Sequence, residues 1–266
     1  MGEAMTERPF SLQRGGGQVP GILWTPQGTE TPVPLVLLGH GGSGHKRSPR
    51  IVDIAHRLAS HGDLAVLAID GPYHGDRVES SLTAEDYQAR MLVEGIEVVT
   101  ERMVGDWCAA VSFAQQQSDI DTSNIAFLGM SMAVRFGLPL AARLGDRLAC
   151  AVFGKFGLEQ SASLPSDLLM VSRLQRDAAS ITAPTLLHVQ WDDEVFPRSG
   201  QLALFDALGS PDKRMVAFPG HHGDTPAHAV DTWCEFVTAQ VCRTPHVRSS
   251  ARSGCIAREA MSVCRV

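Results

Sequence analysis

The chain has 266 residues, 44% hydrophobic and 20% charged, long enough to bury a sizeable core without metals or disulfides. Its net charge of −6 is uneven: residues 243–266 hold five arginines and one acid, Glu259, a net +4 that leaves residues 1–242 at −10. An acidic body lacks the basic face that nucleic-acid binding needs, and no apolar run approaches the ~20 residues that span a bilayer. The same asymmetry suggests one domain over 1–242 and a basic tail over 243–266, expected to be disordered. Six cysteines, at 108, 150, 234, 242, 255 and 264, include no C-x-x-C pair, so neither a zinc site nor a thioredoxin-like motif is expected. With no secretory signal read, reduced thiols and a cytoplasmic location are the expectation.

Short apolar runs then alternate with helical patterns. Residues 10–14 and 21–25 predict two early strands around the glycines at 15–17. Residues 33–44, "VPLVLLGHGGSG", form an apolar run ending in glycines, as a central parallel strand buried on both faces does. Over 48–62, Ile51, Ile54, Ala55, Leu58 and Ala59 recur at helical spacing until Gly62 stops the helix. A second buried strand is expected over 64–70. The stretch 80–117 reads as helical, with Thr83, Glu85 and Asp86 able to open it and a crossover helix over 103–116. Strands at 124–129, 148–157, 185–190 and 213–220 follow. Helices are expected at 132–144, 199–208 and 226–241. Residues 79–100 and 158–183 are candidates for a small cap. Such alternation predicts an α/β fold, a mostly parallel sheet with helices on both faces, whose ligand site lies at the carboxyl ends of the strands.

Four loops at those ends carry chemistry. "GMSMA", Gly129–Ala133, puts Ser131 where a strand turns into a helix, with small residues two before and two after it so that strand and helix can pack closely. Alone this is weak, since a structural serine fits as well. "HGGSGH", His40–His45, supplies glycines that let backbone N–H groups approach a substrate. An oxyanion there would meet the N–H of Gly42, assisted by Gly41, and that of Met132. "QWDDEVFP" offers three acids, Asp192, Asp193 and Glu194, to hold an imidazole, and "FPGHHGDTPAH" offers His221 and His222, with His228 on a helix surface.

The order of serine, acid and histidine after a glycine-rich loop resembles the α/β-hydrolase superfamily over roughly residues 10–242. The stretch "DGPYHGDR", with Asp70, Pro72, His74, Gly75 and Arg77, is similar to the D-x-P-x-H-G-x-R signature of dienelactone-hydrolase-like esterases, and the build is also similar to prolyl-oligopeptidase-like ones. That resemblance implies Asp193 as the acid, in register with Pro197, and His222 as the base. It implies that His40 orients its loop and that "DGPYHGDR" is structural, with contact of Arg77 to an anionic substrate as the lesser alternative. True dienelactone hydrolases resemble this chain but use a cysteine nucleophile. Ser131 at that position implies serine ester hydrolysis, with Ala133 replacing the usual second glycine.

The expected activity is cleavage of carboxylic esters by a Ser-His-Asp triad. A thioesterase, peptidase or acyltransferase on the same triad is the alternative, and a catalytically inactive binding protein of the same fold is less favoured. Met130, Met132, Trp191 and Phe196 are the expected apolar pocket neighbours, suited to a short or medium acyl or alkyl group rather than a sugar. No metal or organic cofactor is implied. The expected partner is a small-molecule ester, with no nucleic acid or membrane, and the protein is expected to be a monomer or homodimer.

Overall fold

A computed structural model describes residues 5–15 and 17–242; the tail expected over 243–266 lies outside the described residues. Eight strands lie in the order β1-β2-β4-β3-β5-β6-β7-β8. They are β1 (Met5–Arg14), β2 (Gly17–Pro26), β3 (Val33–Gly39), β4 (Ala65–Ile69), β5 (Ile120–Met130), β6 (Leu148–Gly154), β7 (Thr185–Gln190) and β8 (Lys213–Phe218). The first two pair antiparallel and β2 meets β4 antiparallel; from β4 to β8 all neighbours are parallel. The sheet is therefore mostly parallel, as an α/β-hydrolase fold requires.

The apolar runs are continuous because the central strands are covered on both faces. In β3, Leu35 and Leu37 face one core and Val36 and Leu38 the other. Helices α1 (Pro49–His61) and α7 (Ala227–Val241) close the second core with Ile54, Leu58, Trp233 and Val237. On the first face lie α3 (Ile96–Gln115), α4 (Met132–Leu144), α5 (Val171–Ser180) and α6 (Arg198–Ala207), contributing Trp107, Leu138, Leu174 and Leu204.

Several boundaries differ from expectation. The helical stretch 80–117 is two helices, α2 (Ala84–Glu94) and α3, because Gly95 turns the chain with φ +94°, and the crossover helix therefore starts at Ile96 rather than at 103. β5 begins at Ile120, its register shifting opposite Pro34 and Leu35. Of the two cap candidates, 158–183 becomes a short 3-10 turn and α5, packed against α4 with Leu168, Leu174 and Ala178 in the core. The other, through α2, sets Tyr87 against Gly42 and the His74 ring, 4.5 Å away.

Candidate active site

Ser131 stands between β5 and α4 with φ +58° and ψ −124°, a left-handed backbone that a side chain rarely adopts. Its N–H donates to Gly154 O at 2.9 Å, and its carbonyl accepts Val134 N–H at 2.8 Å to begin the helix. Tight packing holds the turn. A Cβ built on Gly39 would lie 2.7 Å from Ala133 Cβ, and one built on Gly129 would lie 2.8 Å from the same atom. Ala133 thus fills the space between two glycines.

The Ser131 hydroxyl lies 2.9 Å from His222 Nε2, and His222 Nδ1 lies 2.8 Å from Asp193 Oδ2. The carboxylate can only accept, so Nδ1 carries the proton and Nε2 accepts from the hydroxyl. Asp193 is buried, and its other oxygen accepts the N–H groups of Val195 and Phe196, each at 2.8 Å. The competing residues have other partners. Asp192 accepts Gly220 N–H at 3.4 Å. Glu194 accepts His222 N–H at 2.9 Å, and this bond holds its carboxyl below the usual range. His221 is exposed, 3.4 Å from Glu194, and His228 is exposed on α7. All three acids of the loop therefore touch the histidine loop, while Asp193 meets the imidazole.

The glycine loop lies against the nucleophile. A Cβ on Gly41 would sit 3.8 Å from Ser131 Cβ, and Gly42 lies under the Tyr87 hydroxyl, 3.8 Å from Met132 Cβ by the same construction. His40 clamps this loop to the next one: Nδ1 bonds Gly41 O at 2.8 Å and Nε2 accepts Gly71 N–H at 2.8 Å. Burial pushes its pKa down to about 4, so the ring is neutral near neutral pH. His74 Nε2 lies 2.8 Å from Gly42 O. Asp70 accepts from Lys46 Nζ at 2.6 Å and from Asp76 N–H at 2.9 Å, fixing the "DGPYHGDR" loop.

The other candidate residues have these surroundings. The Arg77 side chain is 7% exposed, 2.8 Å from Asp106 and donating to Asp70 O at 2.9 Å, so its charge is already engaged inside the fold. Trp191 is 48% exposed with the Arg198 guanidinium 3.9 Å over its ring, so it turns to solvent. Met130 packs into the core facing α1 and α7. Met132 belongs to the opposite core, beside Gly42. Phe196 is buried with its ring 4.6 Å from Phe156 and 5.8 Å from His222.

Two residues escaped the sequence reading. Lys155, directly after β6, is buried in a left-handed backbone of φ +51° and reaches the histidine loop. The signal was present, as the lone cation of an apolar run. Arg135, on α4, is buried 5.9 Å over the Phe156 ring, and its Nε has no hydrogen-bond partner. Burial lowers its pKa to about 10. Among the described residues no group of three or more His, Cys, Asp or Glu side chains is arranged to hold a metal ion.

A strained serine bonded to a histidine that is bonded to a buried acid, at the carboxyl edge of a mostly parallel sheet, is the arrangement found in serine hydrolases of several bond types. Comparison with known proteins narrows it. The model of the dienelactone hydrolase family matches residues 19–223, and the chain belongs to that family. A cold-adapted esterase from an Arctic intertidal metagenomic library, in a PEG-bound complex, is 32% identical with a TM-score of 0.75, over 89% of this chain and 94% of that one. A putative dienelactone hydrolase from Klebsiella pneumoniae subsp. pneumoniae MGH 78578 shares the fold, with TM-score 0.69 and 18% identity over 90% and 99% of the two chains. The uncharacterized protein YnbC of Escherichia coli K12 is 43% identical over 53 residues, 20% of this chain and only 9% of that protein's length.

Proposed function

We propose that the protein is a serine hydrolase that cleaves carboxylic esters of short to medium acyl or alkyl groups through an acyl-enzyme on Ser131. The observation that carries this is the continuous chain Ser131 Oγ–His222–Asp193, at 2.9 and 2.8 Å. His222 Nε2 takes the hydroxyl proton as Oγ attacks the ester carbonyl, then gives it to the leaving alcohol. Water repeats the cycle on the acyl-enzyme. Asp193, holding Nδ1–H, keeps the tautomer and stabilises the imidazolium.

The N–H groups of Gly42 and Met132 receive the oxyanion, with Gly41 lining the approach. Met132 opens α4, so its N–H lies at the positive end of a helix dipole. Met132 and Phe196 are the apolar neighbours beside this centre. The working unit is residues 1–242, acting as a monomer or homodimer on a small-molecule ester. A cytoplasmic setting suits the thiols of Cys150, Cys234 and Cys242, which form no disulfide among the described residues; no helix among the described residues is long and apolar enough to cross a membrane.

Steady-state hydrolysis of p-nitrophenyl esters of increasing acyl length tests this. Ser131→Ala and His222→Ala are expected to lose ~10⁴-fold or more in kcat, while His221→Ala keeps most of it. Undiminished turnover by Ser131→Ala rejects the assignment.

A further inference from the structure

The dipeptide Gly154–Lys155 touches both reacting residues. The Gly154 carbonyl accepts the Ser131 N–H at 2.9 Å. One residue on, the Lys155 ammonium donates to His222 O at 3.1 Å, to Thr225 Oγ1 at 2.7 Å and to Asp224 O. An ammonium has three N–H donors, and all three go to the loop that carries His222. None of these acceptors is a carboxylate, so the side chain is not there as half of an ion pair. An apolar side chain would fill the same space without desolvating a charge. The backbone is also bent to aim it: φ is +51° and Lys155 N–H donates to His188 O at 3.2 Å.

We propose that Lys155 is a positioning residue that fixes the His222 imidazole over Ser131, tying the histidine loop to the strand end that grips the nucleophile. The proposal rests on reading Ser131 and His222 as the reacting pair.

Charge state matters to this role. A neutral amine keeps two donors and gains a lone pair, so one of the three loop acceptors would face a lone pair instead of a proton. The charged and titratable groups around the ammonium are Arg50 from α1, His188 from β7, Asp193 and Glu194 from the acid loop, and His222 and Asp224 from the histidine loop. Burial first, and Arg50 second, lower the Lys155 pKa from its ordinary 10.5 to about 8, against the opposing pull of the three carboxylates. Activity is therefore expected to fall as pH rises through about 8. Stability moves the other way: between the folded value and the unfolded one the unfolded chain binds more protons, so stability rises with pH. A residue that merely supported the fold would not separate the two.

The test is kcat and KM for phenyl acetate by pH-stat across this range, with unfolding midpoints measured in parallel. Wild type is expected to show an alkaline loss of kcat centred near 8, without loss of stability. Lys155→Met should lose ~10²-fold in kcat at neutral pH, the cost of a slightly misplaced base, with KM nearly unchanged and no alkaline limb. Lys155→Arg should recover much of that kcat and hold it at high pH. Thr225→Val removes one acceptor of the charged form and should move the limb to lower pH; it decides the matter, with the wild-type profile, if the methionine variant fails to fold. An unchanged limb in Lys155→Met, a limb unmoved by Thr225→Val, or an arginine variant no better than methionine overturns the proposal. Fluorophosphonate labelling separates the two levels. A wild type that does not label defeats the serine hydrolase reading itself. One that labels at Ser131 yet ignores every Lys155 change defeats only the positioning role.

Discussion

The backbone of Ser131 is held in a conformation the local sequence would not choose. Gly154 grips its N–H, Ala133 packs between Gly39 and Gly129, and His222 and Asp193 line up beyond it. Arg135 shows the cost of charge in the same region: a buried guanidinium with an unpartnered Nε and no carboxylate contact among the described residues. Replacing it with a flexible apolar side chain of similar length removes that desolvation. Arg135→Met is expected to raise stability by about 1–3 kcal/mol in denaturant titration; a loss of that size would show that the cation is satisfied in the fold. Residue types and order made Ser131 legible in the sequence, and the resemblance pointed to Asp193 and His222. The partners of Lys155 and Arg135 were not legible, although Lys155 stood out as the lone cation of an apolar run, because each acts through a loop or helix distant in sequence. Arg77 has the structural surroundings expected of it, beside Asp106, whereas Trp191 turns to solvent under Arg198, because adjacency in the chain says nothing of which way a side chain turns.

Among the elements, the strands read best were those covered on both faces, whose apolar runs are unbroken. β1 was read too short because it is an edge strand with mostly exposed residues, so polar side chains interrupt its pattern. The break at Gly95 was hidden within a continuous helical pattern, and only its φ of +94° reveals the turn. The β5–α4 junction makes a quantitative expectation. A Cβ at Gly39 meets Ala133 Cβ at 2.7 Å and other atoms only at ordinary contact distance. Gly39→Ala is therefore expected to cost about 1–3 kcal/mol. Ala133→Gly in the same chain should return much of that loss, a coupling that thermal unfolding of the two single variants and the double variant measures. Additive effects would mean that the close approach of β3 and α4 is not the source of strain.

For the whole molecule, two buried histidines tie stability to pH. His40 accepts Gly71 N–H, and His188 accepts Trp233 Nε1–H at 3.2 Å while its Nε2 bonds Gln190 Oε1 at 3.0 Å. Protonating either ring turns an acceptor toward a donor. Burial lowers both pKa values from 6.5 to about 4. The unfolded chain then binds more protons between those values, so the stability from each is present above 6.5 and is lost as pH falls toward about 4. Each shift corresponds to about 3 kcal/mol. Denaturant midpoints should drop steadily over that window, and a flat profile would show that the rings protonate freely in the fold. The sheet that buries these histidines also brings the ends of β3, β5, β6, β7 and β8 together, and the reactivity proposed for the Ser131 hydroxyl rests on that convergence. Its most direct measurement is a fluorophosphonate adduct mapped by mass spectrometry after proteolysis. One adduct is expected, on Ser131, absent from Ser131→Ala and strongly slowed in His222→Ala; an unlabelled protein, or labelling that survives the loss of Ser131, would contradict the proposed triad.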